Sequence, residues 1–376
     1  MLTLTKEQTA EGITQYVGDC RAVLRSLPAE SVHCCVTSPP YFGLRDYGVA
    51  GQLGLEESPD AFVSELVAVF REVRRVLRDD GTLWLNLGDS YARSWGNYGG
   101  QNRGKEGGQR EIKNGSAAPN PAYDGLEKWR PPTSNKIAGV KPKDLIGIPW
   151  MVAFALRADG WYLRQDIIWA KPNPMPESVL DRCTKAHEYL FLLSKNERYS
   201  YDSEAIKEAS ITNDPRRPYT SEGAWQLDGR PAEQRHGGKP RTAGNKSHKY
   251  VEAYNGSETE EHRTKAGLMD VADVPWTRRN RRSVWTIASA PFTEAHFATF
   301  PPALIEPCIM AGCPKGGTVL DPFGGAGTTG LVADRLGRNA VLIELNHAYA
   351  AMAEQRIRAE AGMMARVATI DATGRP

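Results

Sequence analysis

Apolar positions along the chain fall into three patterned blocks, separated by two stretches with no apolar period. In the first block, from about Tyr16 to Tyr91, Val32 to Val36 (VHCCV) is a continuous apolar run of strand length. It ends at Thr37-Ser38-Pro39-Pro40. Residues 61–78 place Phe62, Leu66, Val69, Val73, Val76 and Leu77 on one helical face, and Asp79-Asp80-Gly81 reads as the stop. Leu83 to Leu87 (LWLNL) then predicts a strand. The second block, from about Lys143 to Tyr201, predicts a helix near Pro149–Ala158 and strands near Trp161–Ala170 and at Tyr189–Ser194. The third, from about Val284 to Ile357, holds a strand end at Thr318-Val319-Leu320-Asp321 and a helix through Thr329–Leu336 closed by Gly337. Ala340 to Glu344 (AVLIE) predicts the next strand, and the tail after Arg358 predicts only a frayed helix. Strands alternating with helices give an α/β fold with a mostly parallel sheet.

The intervening stretches differ from the blocks and from each other. Residues 95–140 are rich in Gly and Asn with scattered Lys and Arg. Residues 202–282 mix Arg, Lys, Gly and Pro with Tyr219, Trp225, Tyr250, Tyr254 and Trp276. Composition adds bounds. The 376 residues are 40% hydrophobic and 24% charged, with a formal net charge of +2. That length and apolar share support a sizeable core and about two domains. A net charge near zero leaves nucleic acid open as a partner, because a local basic face is what binds phosphate. The first residues have no basic stretch followed by an apolar one, and no apolar run approaches the roughly 20 residues of a membrane helix. The expectation is a soluble cytoplasmic protein without a membrane partner. The six cysteines include no CxxC pair, so reduced and mostly buried thiols are expected rather than a zinc site.

Two motifs carry chemistry. Asp321-Pro322-Phe323-Gly324-Gly325-Ala326-Gly327-Thr328-Thr329 lies between a predicted strand and a predicted helix. Doubly wound sheets place ligands there, with glycines permitting close backbone approach. Glu344, at the end of the next strand, is spaced to accept hydrogen bonds from ribose hydroxyls. On these residues alone a nicotinamide cofactor remains open. The second motif, Thr37-Ser38-Pro39-Pro40-Tyr41, also ends a strand. Its prolines hold the backbone extended. That aims the Ser38 side chain and the Pro39 carbonyl at one point, beside the Tyr41 ring. Such a pair of acceptors suits an exocyclic amine, whose lone pair is delocalised until its hydrogens are held. An ordinary Pro-Pro turn is the competing reading.

The motif Val36 to Tyr41 resembles the catalytic motif of DNA amino-methyltransferases, in the serine form typical of cytosine-N4 enzymes. Asp321 to Thr329 resembles their S-adenosylmethionine motif. The catalytic motif comes first, which is the permuted order of the beta class. The resemblance extends to Gly18-Asp19-Cys20, Leu83 to Tyr91, Asp166 to Asn173, His187-Glu188-Tyr189 and His296 to Pro301. It implies a Rossmann-like class I methyltransferase fold: a mostly parallel, seven-stranded, circularly permuted sheet with one reversed strand and an inserted DNA-recognition segment. It further implies catalytic Ser38, Pro39, Pro40 and Tyr41, and S-adenosylmethionine held by Asp19, Cys20, Phe300, Asp321, Phe323, Gly325, Gly327, Thr328, Thr329 and Glu344, with no metal. The corresponding division is a catalytic half at 1–94, a flexible insert at 95–140, a continuation of the sheet at 141–201, a target-recognition segment at 202–282 and a cofactor-binding half at 283–376.

The partner implied is duplex DNA, with the target base flipped into the site. The resemblance leaves room for a homodimer and for a partner restriction endonuclease. Arg278, Arg279, Arg281 and Arg282 are the candidate phosphate contacts, in a segment where cations alternate with aromatics. Adenine-N6 transfer is the nearest alternative to cytosine N4. A non-catalytic DNA-binding protein of the same fold, and protein or RNA methylation, are more distant. His187-Glu188 opens an apolar strand without a second helical His, so a structural role is expected for it. His296 is expected to pack. Asp89 either approaches the site or caps Ser90-Tyr91, and Asn173 is a candidate lining residue.

Overall fold

The computed structural model describes residues 12–44, 46–92, 140–141, 143–209, 278–289, 300–361 and 366–371. The expectations for 95–139, for 210–277 and for His296 fall outside these residues. The chain divides into two compact units, residues 207–281 and the remainder.

In the larger unit the first elements are β1 (Ile13–Val17), α1 (Cys20–Ser26), β2 (Val32–Thr37), α2 (Pro59–Val76) and β3 (Leu77–Leu87). Helix α2 begins where the Ser58 side chain accepts the Ala61 amide at 3.1 Å, with Pro59 in the first turn, where no amide is needed. It buries Phe62, Leu66, Val69, Phe70 and Val73 along one side, each worth about 1.5–3 kcal/mol of transfer free energy. Then follow α3 (Ile148–Ala158), β4 (Tyr162–Ala170) and β5 (His187–Ser194). After the smaller unit come β8 (Val284–Thr286), α4 (Pro302–Gly312), β9 (Thr318–Asp321), α5 (Thr328–Arg335), β10 (Asn339–Glu344), α6 (His347–Ala361) and β11 (Val367–Asp371). Among the described residues, no helix is long and apolar enough to cross a membrane.

Nine of these strands form one sheet in the order β11-β1-β10-β9-β2-β3-β5-β4-β8. Every neighbouring pair is parallel except β3·β5 and β4·β5, so β5 alone is reversed. The permuted, mostly parallel sheet is therefore present, but it has nine strands rather than seven. The additions are both edges. The tail after Arg358, expected to fray, instead completes α6 to Ala361 and then supplies β11, which pairs with β1 from Ile13↔Val367 to Val17↔Asp371. At the other edge β8 pairs with β4 through Trp169↔Trp285. Strand β3 also starts earlier than expected. Asp79-Asp80-Gly81 belongs to it, and its Leu77 pairs with Val32 of β2.

Both faces of the sheet are covered, which is why its central strands are apolar without interruption. Along β5, Phe191 and Leu193 pack with α1, α2 and α3, while Leu190 and Leu192 pack with α4, α5 and α6. In β2, Cys35 faces the first layer, and Cys34 and Val36 face the second. The chain leaves β2 toward one layer and leaves β9 toward the other. The two strands are neighbours, so a crevice opens between their carboxyl ends.

The smaller unit is described at its two ends only. There β6 (Glu208–Ala209) pairs antiparallel with β7 (Arg278–Arg279). Arg279 meets the Glu208 carboxylate at 2.9 Å. The ends of the stretch expected to be loose thus pair as a short ladder.

Candidate active site

A cavity of about 670 Å³ opens at the carboxyl edge of the sheet, a size in the range of small-molecule sites. Strands β1, β2, β3, β4, β9 and β10 all end at this edge. Strand β5 is reversed, so its first residues arrive there instead. Asp19, Cys20, Ser38, Pro39, Pro40, Tyr41, Phe300, Asp321, Phe323, Gly325, Thr328 and Glu344 line the cavity. Gly327 and Thr329, also expected at the cofactor, are not in its lining. Gly327 is the left-handed cap of α5 (φ +73°), and a Cβ on it would sit 2.9 Å from the Ile357 side chain. Thr329 is fully buried, with its hydroxyl donating to Asp321.

The turn after β9 is held by a fully buried carboxylate. Asp321 accepts the hydroxyls of Thr37 and Thr329 at 2.6 Å each, and the Phe323 amide at 3.1 Å. Burial raises its pKa, and these three donors pull the other way. The Thr37 bond fastens the end of β2 to the end of β9. Glu344 closes the same turn. One of its oxygens accepts the Gly325 amide and the other the Asn346 amide, each at 2.8 Å. Each carboxylate oxygen retains acceptor capacity, so a vicinal diol on a ribose, donating both hydroxyls, fits this pair of acceptors. Asp19 caps α1 through the Arg21 amide, and its carboxylate also takes the Arg21 guanidinium at 2.7 Å. Burial opposes its ionisation, but Arg21 outweighs that and holds its pKa below the ordinary value.

The turn after β2 is held from further away. The Tyr41 hydroxyl donates to Glu188 at 2.6 Å, and the Asn86 side-chain oxygen lies 3.4 Å from it. Glu188 also accepts the Asn86 amide at 3.3 Å and pairs with the Lys171 ammonium. Lys171 lies 4.1 Å above the Trp169 ring centre, a cation–π arrangement. The Tyr41 ring rests against Gly88, where a Cβ would come within 2.5 Å of the ring. Burial, and next the Glu188 anion, push the Tyr41 phenol well above its ordinary pKa, so it remains a hydrogen-bond donor.

Asn86, Lys171 and Glu188 all line the cavity. The structural role expected for His187-Glu188 is thus too narrow. The reversed strand β5, paired Trp169↔Glu188 with β4, is what delivers that carboxylate to the site. Asn173 lines the cavity too, and its side chain clamps Ser289 through the Ser289 amide at 3.0 Å and carbonyl at 3.2 Å. Asp89 does not line the cavity. It accepts the Ser90 amide at 2.9 Å and the Gly147 and Ile148 amides at 3.0 and 3.2 Å, capping α3 as well as its own turn. Arg278, Arg279 and Arg281 belong to the smaller unit and Arg282 to the larger.

Comparison with known proteins agrees with this geometry. The profile of the N6/N4 DNA methylase family matches residues 32–355. The chain is 42% identical over 344 residues to the type II methyltransferase M.SmaI of Serratia marcescens, covering 91% of this chain and 89% of that one. It is 43% identical over 357 residues to M.XycI of Xanthomonas campestris pv. cyanopsidis, covering 95% and 91%. Among solved structures, the cytosine-N4-specific PvuII DNA methyltransferase shares the fold with a TM-score of 0.53 at 17% identity, covering 95% of both chains. A putative DNA modification methylase of Thermus thermophilus, solved with S-adenosyl-L-methionine, does so with a TM-score of 0.50 at 23% identity, covering 95% of this chain and 99% of that one. The chain belongs to the N6/N4 DNA methylase family and is an S-adenosylmethionine-dependent DNA methyltransferase.

Proposed function

We propose that the chain methylates the N4 amino group of cytosine in duplex DNA. The observation that carries this reading is Ser38. It is a neutral hydroxyl in the cavity wall, immediately before Pro39-Pro40-Tyr41. When bound, S-adenosylmethionine supplies a methyl group on a positively charged sulfur. Glu344 would hold the ribose hydroxyls, while the glycine turn lets the backbone approach the cofactor. Asp19, Cys20, Phe300, Phe323 and Thr328 would shape the rest of that pocket. Asp321 would hold the turn at the pocket wall through Thr37, Thr329 and the Phe323 amide, and Gly327 would shape the turn.

The target cytosine leaves the base stack at a cost of a few kcal/mol. Ser38 and the Pro39 carbonyl then accept the two amine hydrogens, which localises the nitrogen lone pair. Pro40 keeps the turn extended, and the Tyr41 ring packs on the base, worth roughly 1–3 kcal/mol. Most of the gain is positioning, because the methyl group is already activated. The expected chain division is part of the same proposal. Residues 1–94, 141–201 and 283–376 make the methyltransferase unit, 95–140 is an insert, and 202–282 recognises the target. Arg278, Arg279, Arg281 and Arg282 contact phosphate in this reading. A partner restriction endonuclease fits the likeness to type II methyltransferases.

Nucleoside mass spectrometry of DNA from cells expressing the protein tests the base assignment. N4-methylcytosine is the expected product. N6-methyladenine without N4-methylcytosine would overturn cytosine in favour of adenine. Replacing the four arginines by alanine should lower the slope of log affinity against log salt by about 3.6, given about 0.9 per phosphate contact. An unchanged slope would place the DNA contacts elsewhere.

A further inference from the structure

The loop from Gly43 to Gly54 leaves the proline turn and returns to it. Its ends meet where the Gly43 amide donates to the Gly54 carbonyl at 2.7 Å, the closed neck of an Ω-loop. That neck rests on the proline turn. The Leu44 amide donates to the Tyr41 carbonyl at 3.3 Å. Gly54 (φ +101°) lies so near that a Cβ on it would sit 3.1 Å from the same oxygen and 3.4 Å from the Pro40 side chain. The loop is packed by its own side chains: Gln52 accepts the Tyr47 amide at 2.8 Å, and Leu53 is buried in the layer that holds α2. Tyr47, Val49, Gly51 and Leu53 also line the cavity.

Arg21, in the first turn of α1, reaches this loop from the Asp19 side of the cavity. Its Nε and one terminal nitrogen donate to the Asp19 carboxylate at 3.0 and 2.7 Å. The other terminal nitrogen donates to Glu65 of α2 at 2.8 Å, and the nitrogen on Asp19 also donates to the Gly51 carbonyl at 3.3 Å. Asp19 already caps α1 through the Arg21 backbone amide, so the cap does not need the guanidinium. We propose that Arg21 is a positioning residue: it ties the Asp19 side of the cavity to the Gly43–Gly54 loop and, through the neck of that loop, sets the acceptor turn against the methyl donor. The inference rests on the reading of Ser38 to Tyr41 as the acceptor turn. Transfer needs the nitrogen and the methyl carbon about 3–3.5 Å apart and aligned, yet the two sites are built after different strands. The Thr37–Asp321 bond joins them at the strand ends, and the Arg21 fork joins what lies beyond. A planar guanidinium holds several partners in fixed directions, whereas an ammonium is a point charge. Arg21→Lys therefore keeps a cation beside Asp19 and loses the brace.

The test separates rate from affinity in full-length protein. Single-turnover methyl transfer is measured with protein in excess over unmethylated genomic DNA, and radiolabel from S-adenosylmethionine is counted whichever base receives it. At saturating cofactor Arg21→Lys should slow the step by about 10-fold, the scale of a misplaced reacting group. Its cofactor Kd by calorimetry, without DNA, should stay within about 3-fold of the parent. Hydrogen exchange gives a readout independent of activity: in the cofactor-free protein, amides of residues 43–54 should exchange about 10-fold faster in Arg21→Lys. Gly54→Ala disturbs the neck of the same loop and should slow the same step. The double variant should be no more than about 2-fold slower than the slower single variant, because both act through one element.

A loss that disappears at saturating cofactor would mean that Arg21 serves Asp19 alone and would overturn the proposal. Unchanged exchange in the loop, or losses that multiply in the double variant, would do the same. If Arg21→Lys melts early in denaturant, Glu65→Gln takes its place: it frees the fork from α2 and leaves the Asp19 pair intact. It should slow the step by about 3-fold at an unchanged Kd, and an effect on Kd alone would count against the brace. Ser38→Ala is the control for the underlying reading. An unimpaired Ser38→Ala enzyme would remove the turn from the chemistry, whereas an impaired one beside an Arg21→Lys enzyme of parental rate would sink only the positioning role.

Discussion

The turn after β9 and the turn after β2 face one cavity, but they are held in opposite ways. The first is glycine-rich and closes on itself: Glu344 receives the Gly325 amide at 2.8 Å, and Asp321 receives the Phe323 amide from within the same turn. The second is proline-rich and cannot fold back. Its Tyr41 is fixed by Glu188, 147 residues away, with Asn86 and Lys171 behind it. A cofactor bound in the same way in every turnover suits a receptor built from nearby backbone and two carboxylates. A base that must be polarised needs directional side chains, and a parallel sheet supplies those from several strand ends. The two turns touch directly through the Thr37–Asp321 bond of 2.6 Å.

Substitutions that separate the two turns sharpen this contrast. The largest effect is expected at Glu344. In the proposed reading Glu344→Ala removes a charged acceptor for two ribose hydroxyls, at about 1.5–3 kcal/mol per bond, so cofactor affinity should fall by about 100-fold or more. The single-turnover rate at saturating cofactor should change little. Calorimetry and rapid-quench assays measure the two quantities, and a rate collapse at saturation would mean that the turns are not separable.

Gly88→Ala should act the other way. Its Cβ meets the Tyr41 ring at 2.5 Å, so the ring must move. Turnover should drop by roughly 10-fold, with cofactor affinity within about 2-fold of the parent.

A smaller effect is expected from Thr37→Val. It leaves a buried Asp321 oxygen with fewer donors and should cost about 1–3 kcal/mol of stability in chemical denaturation. Both turns should loosen together, raising the cofactor Kd and lowering the rate in parallel.

The smallest effect is a pH dependence. Burial raises the Glu344 pKa above the ordinary glutamate value, against the pull of the Asn346 and Gly325 amides. The buried anion therefore counts against folding above that raised value, and the cost is relieved as pH falls through it. Cofactor binding runs oppositely, because the protonated acid is a weaker acceptor. The cofactor Kd should rise a few-fold as pH falls through that raised pKa, and Glu344→Gln should flatten the rise. A pH-independent Kd in the parent protein would place Glu344 outside the ribose site.

The same contrast explains what was legible before the structure. The β9 turn and Glu344 lie close together in sequence, and the local rule for a strand, a glycine turn and a helix covers them. The Ser38–Tyr41 turn is equally local. Glu188 reads as the start of an apolar strand, and only the reversal of β5 brings it to the carboxyl edge. No local pattern carries that information. Short edge strands were missed for a similar reason: β8 has three residues and gains strand geometry by pairing with β4. Strand β11 has no continuous apolar run and is specified by its partner β1. The Asp79-Asp80-Gly81 stretch has the composition of a turn, and the register gives it no partner: it is the irregular stretch of β3 between Leu77, paired with Val32, and Thr82, paired with Cys34 and Ser194.

The central claim is that Ser38 acts on the acceptor amine while a separate turn of the same cavity holds the methyl donor. The most direct measurement pairs the single-turnover rate of methyl transfer to DNA with the cofactor Kd, in the parent protein and in Ser38→Ala. The expected result is a rate lower by about 100-fold or more, within the range for removal of a transition-state hydrogen bond, with an unchanged Kd. An unchanged rate, or a rate loss explained wholly by a weaker Kd, would contradict the account.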